Sequence, residues 1–525
     1  MTIRRPGVEV QFSSQNGSPR ALAAPTTYFS VGYAEWGPVN TPLYVSDKRE
    51  LFQTFGAPTT TGYLVRDAIH YFDTSAGAGR GYFVRGFEFG VDAVSGLSKG
   101  VVDYTAKVAL TAGAAAALNI TATYAGALGN KFKVDVIADA NGVKKVILWD
   151  RSVPTVITWS TIEKRVRDQI DAINAQAAAG VCDFTLSIPG AFTAIGPDVT
   201  DPGKALFAPS AAARPLAGGG DGDTTNYPLS TLIGGVDPVT FKATGLEALN
   251  DINFGPGFVA IPGYSPTLAL TGGLDLHART TQRLALVSLR PNGATILRPQ
   301  DAVTVKAGLT QSSYLAYYYP EVYDLDAVLS PLEGYVAGLG ARNQTRIDAE
   351  GGIKASVTGT IPVTGLRQVG DRDPVRDGDA ELLYAESINY VRNVRGRGFR
   401  VESQLLSTPE GSISRLHHRI ITLKFWYDIN EVLNAFRDRT IDAGGRLQGD
   451  IKFALDQYLD SYQPGKFPPN GNTFYNAATV VTDNSIQNAG DLGQGLLYVL
   501  VEGSFSPKAE RISLLFNVKP ITVGS

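Results

Sequence analysis

The sequence predicts a multidomain α+β protein with an α/β middle part. A chain of 525 residues exceeds what a single hydrophobic core supports. Its 57 glycines and 29 prolines beside 10% aromatic residues suit many short strands and turns packed around substantial cores. Through the centre, short apolar runs alternate with helix-like segments, the pattern of parallel strands covered by helices.

At the start, Val8, Val10 and Phe12 alternate with Glu9 and Gln11, so residues 1–25 are expected to be a strand arm with the turn-rich linker SSQNGSPR. YFSVGYAEWG follows as a buried strand. SDKRELFQTFG reads as a helix, with Asp47 and Glu50 as capping box and Gly56 as its stop. Between 101 and 229 the texture changes to alternating strands. STIEKRVRDQIDAIN then forms a helix opened by Ser160 and Glu163, with Ile162, Val166, Ile170 and Ile173 inward. Closed by the small-residue stretch PSAAARPLAGGGDGDTTN, this segment is expected to be an inserted β-rich domain. Residues 230–384 return to apolar runs such as FVAIPGY and LALVSL between helical patterns, and with 26–100 they make the α/β domain.

The last part, 385–525, opens with SINYVRN and carries a helix over DINEVLNAFRDRTIDA with Ile429, Val432, Leu433, Phe436 and Thr440 on one face. After Gly444 and Gly445 a second helix turns Leu447, Ile451, Leu455, Tyr458, Leu459 and Tyr462 inward. LLYVLVEGSF and ERISLLFNV end the chain, the latter alternating at Ile512, Leu514, Phe516 and Val518. Both ends are therefore strand-formers.

Chemistry-bearing patterns are missing. Lys and Arg total 47 against 50 Asp and Glu, a net charge of −3 that argues against a dedicated nucleic-acid binder. Cys182, the single cysteine, has no internal disulfide partner and is expected to behave as a small buried hydrophobe. MTIRRPGVEVQF lacks an apolar signal core and no run of about 18 apolar residues exists, so neither secretion nor membrane insertion is expected. The four histidines form no HExxH or Cys/His set, and His417 and His418, read as strand neighbours, point to opposite faces. GGGDGDTTN and DRDPVRDGD miss the EF-hand spacing at Thr225 and Val375. With P-loop patterns also absent, no enzyme, catalytic residue, metal or cofactor is expected.

The densest charge feature is Arg392, Arg395, Arg397 and Arg400, followed by Arg415, Arg419 and Lys424, against Glu402 and Glu410. It reads as a solvated face or as a docking face for an acidic protein surface.

Several stretches together resemble the contractile phage tail sheath family. RPGVEV and VGYAEWGPVNTPLYVSDKRELFQTFG are similar to its entry strand, Gly-Pro turn and helix. YAGALGNKFKVDV resembles the Gly-Asn strand motif of its inserted domain, and LIGGVD with FVAIPGY its α/β domain. SPLEGYVAGLGARNQTRIDAEGGIKASVTG looks like a strand and loop of the family, and SINYVRNVRGRGFRVESQLLST with HHRIITLKFWYDINEVLNAFRDRT like its conserved C-terminal domain. At Val401–Thr408 the sequence departs from the family pattern.

The resemblance implies a subtilisin-like middle domain without protease chemistry, for no Asp-His-Ser motifs accompany it and His277 reads as structural. It further implies a subunit that stacks in hexameric rings around a tail tube, with Val8, Val10 and Phe12 and Ile512, Leu514, Phe516 and Val518 exchanged between subunits. Contraction then drives the tube through a target cell envelope. The implied partners are further copies of the chain, the tube protein, and baseplate and tail terminator proteins. The location is a virion tail sheath assembled in the host cytoplasm, with Arg392, Arg395, Arg397 and Arg400 as a tube-facing patch. The alternative is a virion or cell-surface adhesion protein that uses the Gly-rich β domain, which calls for a sugar-binding aromatic cluster.

Overall fold

The computed structural model describes residues 27–59, 62–88, 101–112, 115–138, 144–149, 155–158, 163–188, 213–222, 228–236, 241–290, 297–344, 355–369, 373–408, 413–442, 444–466 and 473–506. The expected arm positions Val8, Val10, Phe12, Ile512, Leu514, Phe516 and Val518 lie outside them, as do Ser160 and Ile162.

TYFSVG, LALVS and LAYYY are apolar on both faces and buried along nearly their whole length. Strands of that kind need cover on both sides. They lie in a nine-stranded sheet in which six strands run parallel, in the order Ile388–Val394, Leu315–Tyr319, Leu284–Ser288, Gly257–Ala260, Thr27–Gly32, Arg80–Arg85. Antiparallel additions end it at Leu43–Val45 on one side and at Gly398–Val401 and Gly359–Thr360 on the other. Alternation splits the side chains between two cores. Tyr28 and Phe83 join helices Lys48–Phe55, Leu64–Ser75 and Glu333–Gln344 on one face. Phe29 and Val31 join Leu268–Thr281, Pro299–Ala307 and Asp377–Ala385 on the other.

Local signals hold where they are strongest. Asp47 caps its helix by accepting from the Glu50 amide at 2.9 Å, and Gly56 ends it at φ 81°. The Glu50 carboxylate reaches one residue further back than a capping box, to the Ser46 amide at 2.7 Å.

Two expectations are corrected. SPLEGYVAGLGARN, read as strand and loop, contains the helix Glu333–Gln344. Its glycines let it lie against Leu64–Ser75: a Cβ on Gly334 would come within 2.2 Å of the Asp67 carbonyl oxygen, and one on Gly338 within 2.7 Å of that of Tyr71. His417 and His418 belong to a helix, Leu416–Asn434, and not to a strand. It starts well before Asp428 and ends at Asn434, short of Phe436 and Thr440 expected on its face; buried residues surround nearly the whole helix, which hides the amphipathic stripe a sequence reading looks for.

The described residues between 101 and 222 form a small body of their own. A three-stranded sheet (Lys107–Ala112, Ala115–Ala122, Phe184–Ser187) and a four-stranded one (Arg214–Pro215, Lys133–Ala138, Lys144–Trp149, Thr155–Thr158) share a core with helix Glu163–Ala178. Val166, Ile170 and Ile173 are buried there as expected, and Cys182 is buried too. Two residues fasten this body to the large sheet. Trp36 sinks into its core against Tyr124 and Phe132, at 5.4 and 5.1 Å between rings. Arg85 is buried and donates to the carbonyls of Ala34, Gly37 and Ala125 at 2.6–2.8 Å.

Candidate assembly surface

Past Leu416–Asn434 the helix Arg446–Leu459 buries Leu447, Ile451, Leu455, Tyr458 and Leu459, the face expected from its spacing. On it rests a ribbon of two antiparallel strands, Phe474–Val481 and Leu500–Phe505. The leading strand faces the helices with Phe474, Ala478 and Val480 and exposes Tyr475 and Thr479. Phe505 closes the trailing strand inside an aromatic clasp. Its ring lies 5.9 Å from Phe474, 5.9 Å from Phe425 and 5.6 Å from His418.

The basic segment divides. Ile388–Val394 and Gly398–Val401 form a hairpin with Arg395 and Arg397 exposed at its tip. Arg392 is ion-paired with both Asp377 and Glu402, so its charge is neutralised within the subunit. Arg395, Arg397 and the half-buried Arg400 make no ion pair among the described residues. Arg419 is buried, donating to Ser313 and stacked over Tyr314 at 4.1 Å, and Lys424 is paired with Asp428 at 2.6 Å. Arg415 donates to the Tyr384 hydroxyl at 2.7 Å. Among the described residues the unpaired charge of this segment therefore rests on Arg395, Arg397 and Arg400, while the helix takes Arg419 and Lys424 inside.

Beyond the carboxyl ends of the parallel strands, where α/β enzymes place their sites, lies a cluster of buried acids. Asp67 accepts from the Tyr28 hydroxyl at 2.5 Å and the Gly334 amide at 2.7 Å. Glu333 takes the Ser288 amide and hydroxyl, both at 2.7 Å, while that hydroxyl accepts from the Leu332 amide. Glu321 binds Arg290 and Arg367, and Asp324 binds Arg66. Ser288 is thereby committed to holding two loops together. His277 is packed against Arg283 at 3.0 Å, and burial, with that cation beside it, lowers its pKa to about 3. Among the described residues no group of three or more His, Cys, Asp or Glu could hold a metal ion, and no helix is long and apolar enough to cross a membrane.

Sequence reasoning missed Phe505, Gln463 and Lys452. Phe505 stands between Glu502-Gly503-Ser504 and Ser506, a polar setting that hides its role, and the two polar residues act on a strand fifteen and twenty-eight positions away.

No family model matches this chain, and neither does any curated protein. Solved structures do. The sheath tail protein from Desulfitobacterium hafniense is 14% identical, with 91% of this chain and 93% of that chain covered at a TM-score of 0.53. The sheath tail protein from Listeria innocua is 15% identical, covering 88% and 90% at 0.52. A chain of the anti-feeding prophage baseplate is 13% identical, covering 99% and 100% at 0.50. The fold is that of these sheath tail proteins.

Proposed function

We propose that this chain is the sheath subunit of a contractile tail: it polymerises as a helical array around a tail tube and contracts to drive the tube through a target envelope. The observation that carries the reading is likeness in fold to sheath tail proteins over nearly the full length of both chains. In this reading residues 26–100 with 230–384 are the middle domain, 101–229 the outer domain, and 385–525 the inner domain with the C-terminal arm. The terminal arms, through Val8, Val10 and Phe12 and through Ile512, Leu514, Phe516 and Val518, add strands to ribbons of neighbouring copies. Backbone hydrogen bonds of that kind keep subunits linked while rigid bodies rotate past one another. A small free-energy difference per subunit, summed over many coupled copies, makes contraction directional, with no enzymatic step or cofactor. Hexameric rings, a tube, a baseplate and a terminator complete the assembly, built in a host cytoplasm and carried in the virion tail.

Negative-stain electron microscopy of the purified chain, alone and with tube protein, tests this. Hollow tubes that vanish when residues 1–25 or 507–525 are deleted are expected. A chain that stays monomeric at high concentration and in the presence of tube overturns the proposal.

A further inference from the structure

The two long edges of the ribbon differ. On the leading strand, Ala478 donates its amide to Gln463 Oε1 at 2.9 Å, and its carbonyl accepts from Gln463 Nε2 at 3.1 Å. Two residues on, the Val480 carbonyl accepts from Lys452 Nζ at 2.9 Å. Residues two apart in a strand present their backbone to the same side, so one carboxamide and one ammonium occupy that edge as a third strand would. On the trailing strand, the Ser506 amide donates to Thr473 and so faces inward. Alternation then puts the amides of Val501, Gly503 and Phe505 on the outer edge, where they have no hydrogen-bonding partner among the described residues.

The closed edge is not an isolated case. Thr155–Thr158 ends the four-stranded sheet of the inserted body, and Gln169 takes both the amide and the carbonyl of Thr158 at 3.0 Å. Phe184–Ser187 ends the three-stranded sheet, and Asn174 grips Leu186 the same way at 2.8 and 3.0 Å. An exposed edge is an invitation to pairing, and these two-point carboxamide bonds withdraw it. Among the described residues the trailing edge is left open, and the sequence carries strand-patterned arms outside the described residues at both ends.

Resting on the sheath reading, we infer that the subunit accepts a strand from a second copy of itself on one edge only, that of Leu500–Phe505, because Gln463 and Lys452 hold the opposite edge closed. A single acceptor edge gives every subunit the same order of donor and acceptor. That is a condition for a polymer of uniform polarity.

Thr479 and Glu502 are cross-strand partners with exposed side chains, which makes them matched reporters for the two edges. A donor strand beside the trailing strand lies about 5 Å from position 502 and about 10 Å from position 479. The experiment oxidises assembled full-length polymers carrying Glu502→Cys or Thr479→Cys with one arm cysteine, at Glu9, Val10, Leu514 or Leu515, so that both faces of each arm are sampled. Native Cys182 is buried. Interchain ladders are expected with Glu502→Cys. Those with Thr479→Cys should be at least about tenfold weaker, since the three hydrogen bonds from Gln463 and Lys452 must be given up before a strand docks there. Adding Gln463→Leu and Lys452→Met should raise the Thr479→Cys ladder towards parity. Equal ladders without those changes overturn the closed edge while leaving strand exchange standing. A cross-linked monomer overturns the second copy as donor. Polymers that give no cross-link at either position overturn strand exchange itself.

Discussion

The nine-stranded sheet and the two-stranded ribbon face the same problem, an edge strand with unpaired backbone, and meet it differently. The large sheet tapers: its outermost strands have three and two residues, too short to template another chain. The ribbon keeps strands of eight and six residues, and a lone two-stranded ribbon is at best marginal in water. Its stability is borrowed from the helices beneath and from whatever pairs with it. One region is thus finished within the chain, and the other is, on the proposed function, left for assembly to complete.

If the body is rigid because helices are pressed together without slack, the largest effect should come from a single methyl group there. Gly334→Ala puts a Cβ within 2.2 Å of a backbone oxygen and should cost about 3 kcal/mol in chemical denaturation. Gly449→Ala, in the helix under the ribbon, meets nothing within 4 Å and should stabilise by about 1 kcal/mol. Similar effects at the two glycines would remove the contrast.

Phe505→Ala opens the aromatic clasp and should cost about 2 kcal/mol, less than a fully buried ring because Phe505 is only half-buried. The loss should appear as faster amide exchange over 474–505 with the nine-stranded sheet unchanged. Equal acceleration in both regions would mean that the ribbon is part of the rigid body.

The body also carries a pH dependence that the ribbon should not share. Burial raises the Asp67 carboxyl well above its ordinary value, helped by Glu333, and burial raises Glu333 as well. An unfolded chain releases these protons near pH 4, whereas the folded one still holds them. Stability is therefore full below that point and declines as pH rises through the raised folded values. Asp67→Asn should flatten the decline and leave the variant relatively more stable at pH 8. An unchanged slope would place the pH dependence elsewhere.

How much of this could be read from the sequence depended on distance along the chain. The Asp47 cap, the Gly56 stop and the inward face of Arg446–Leu459 each rest on signals within a few residues, and all were legible. Glu333–Gln344 was not, because its glycines make sense only against Leu64–Ser75, more than 250 residues earlier. Leu416–Asn434 was misread because burial on nearly every side erased its periodicity. Arg392 looked like free charge until Asp377 and Glu402 came beside it, and Gln463 carries no mark in sequence of the edge it closes.

The smallest effect on stability belongs to the hairpin tip. Arg395 and Arg397 are exposed and unpaired among the described residues, so replacing both with Ala should change stability by no more than about 0.5 kcal/mol. Arg392→Ala should cost more, because it leaves Asp377 and Glu402 facing each other without their cation. If the tip faces an acidic tube, as the proposed function implies, assembly around it should reverse that ranking. A long-range attraction lives in the free charges, so the Arg395/Arg397 double variant should lose tube-templated assembly most, with a deficit that shrinks as salt rises and screens the remaining charges. Assembly that is indifferent to the double variant across a salt series would remove the tip from the tube interface and leave the hairpin as an ordinary sheet edge.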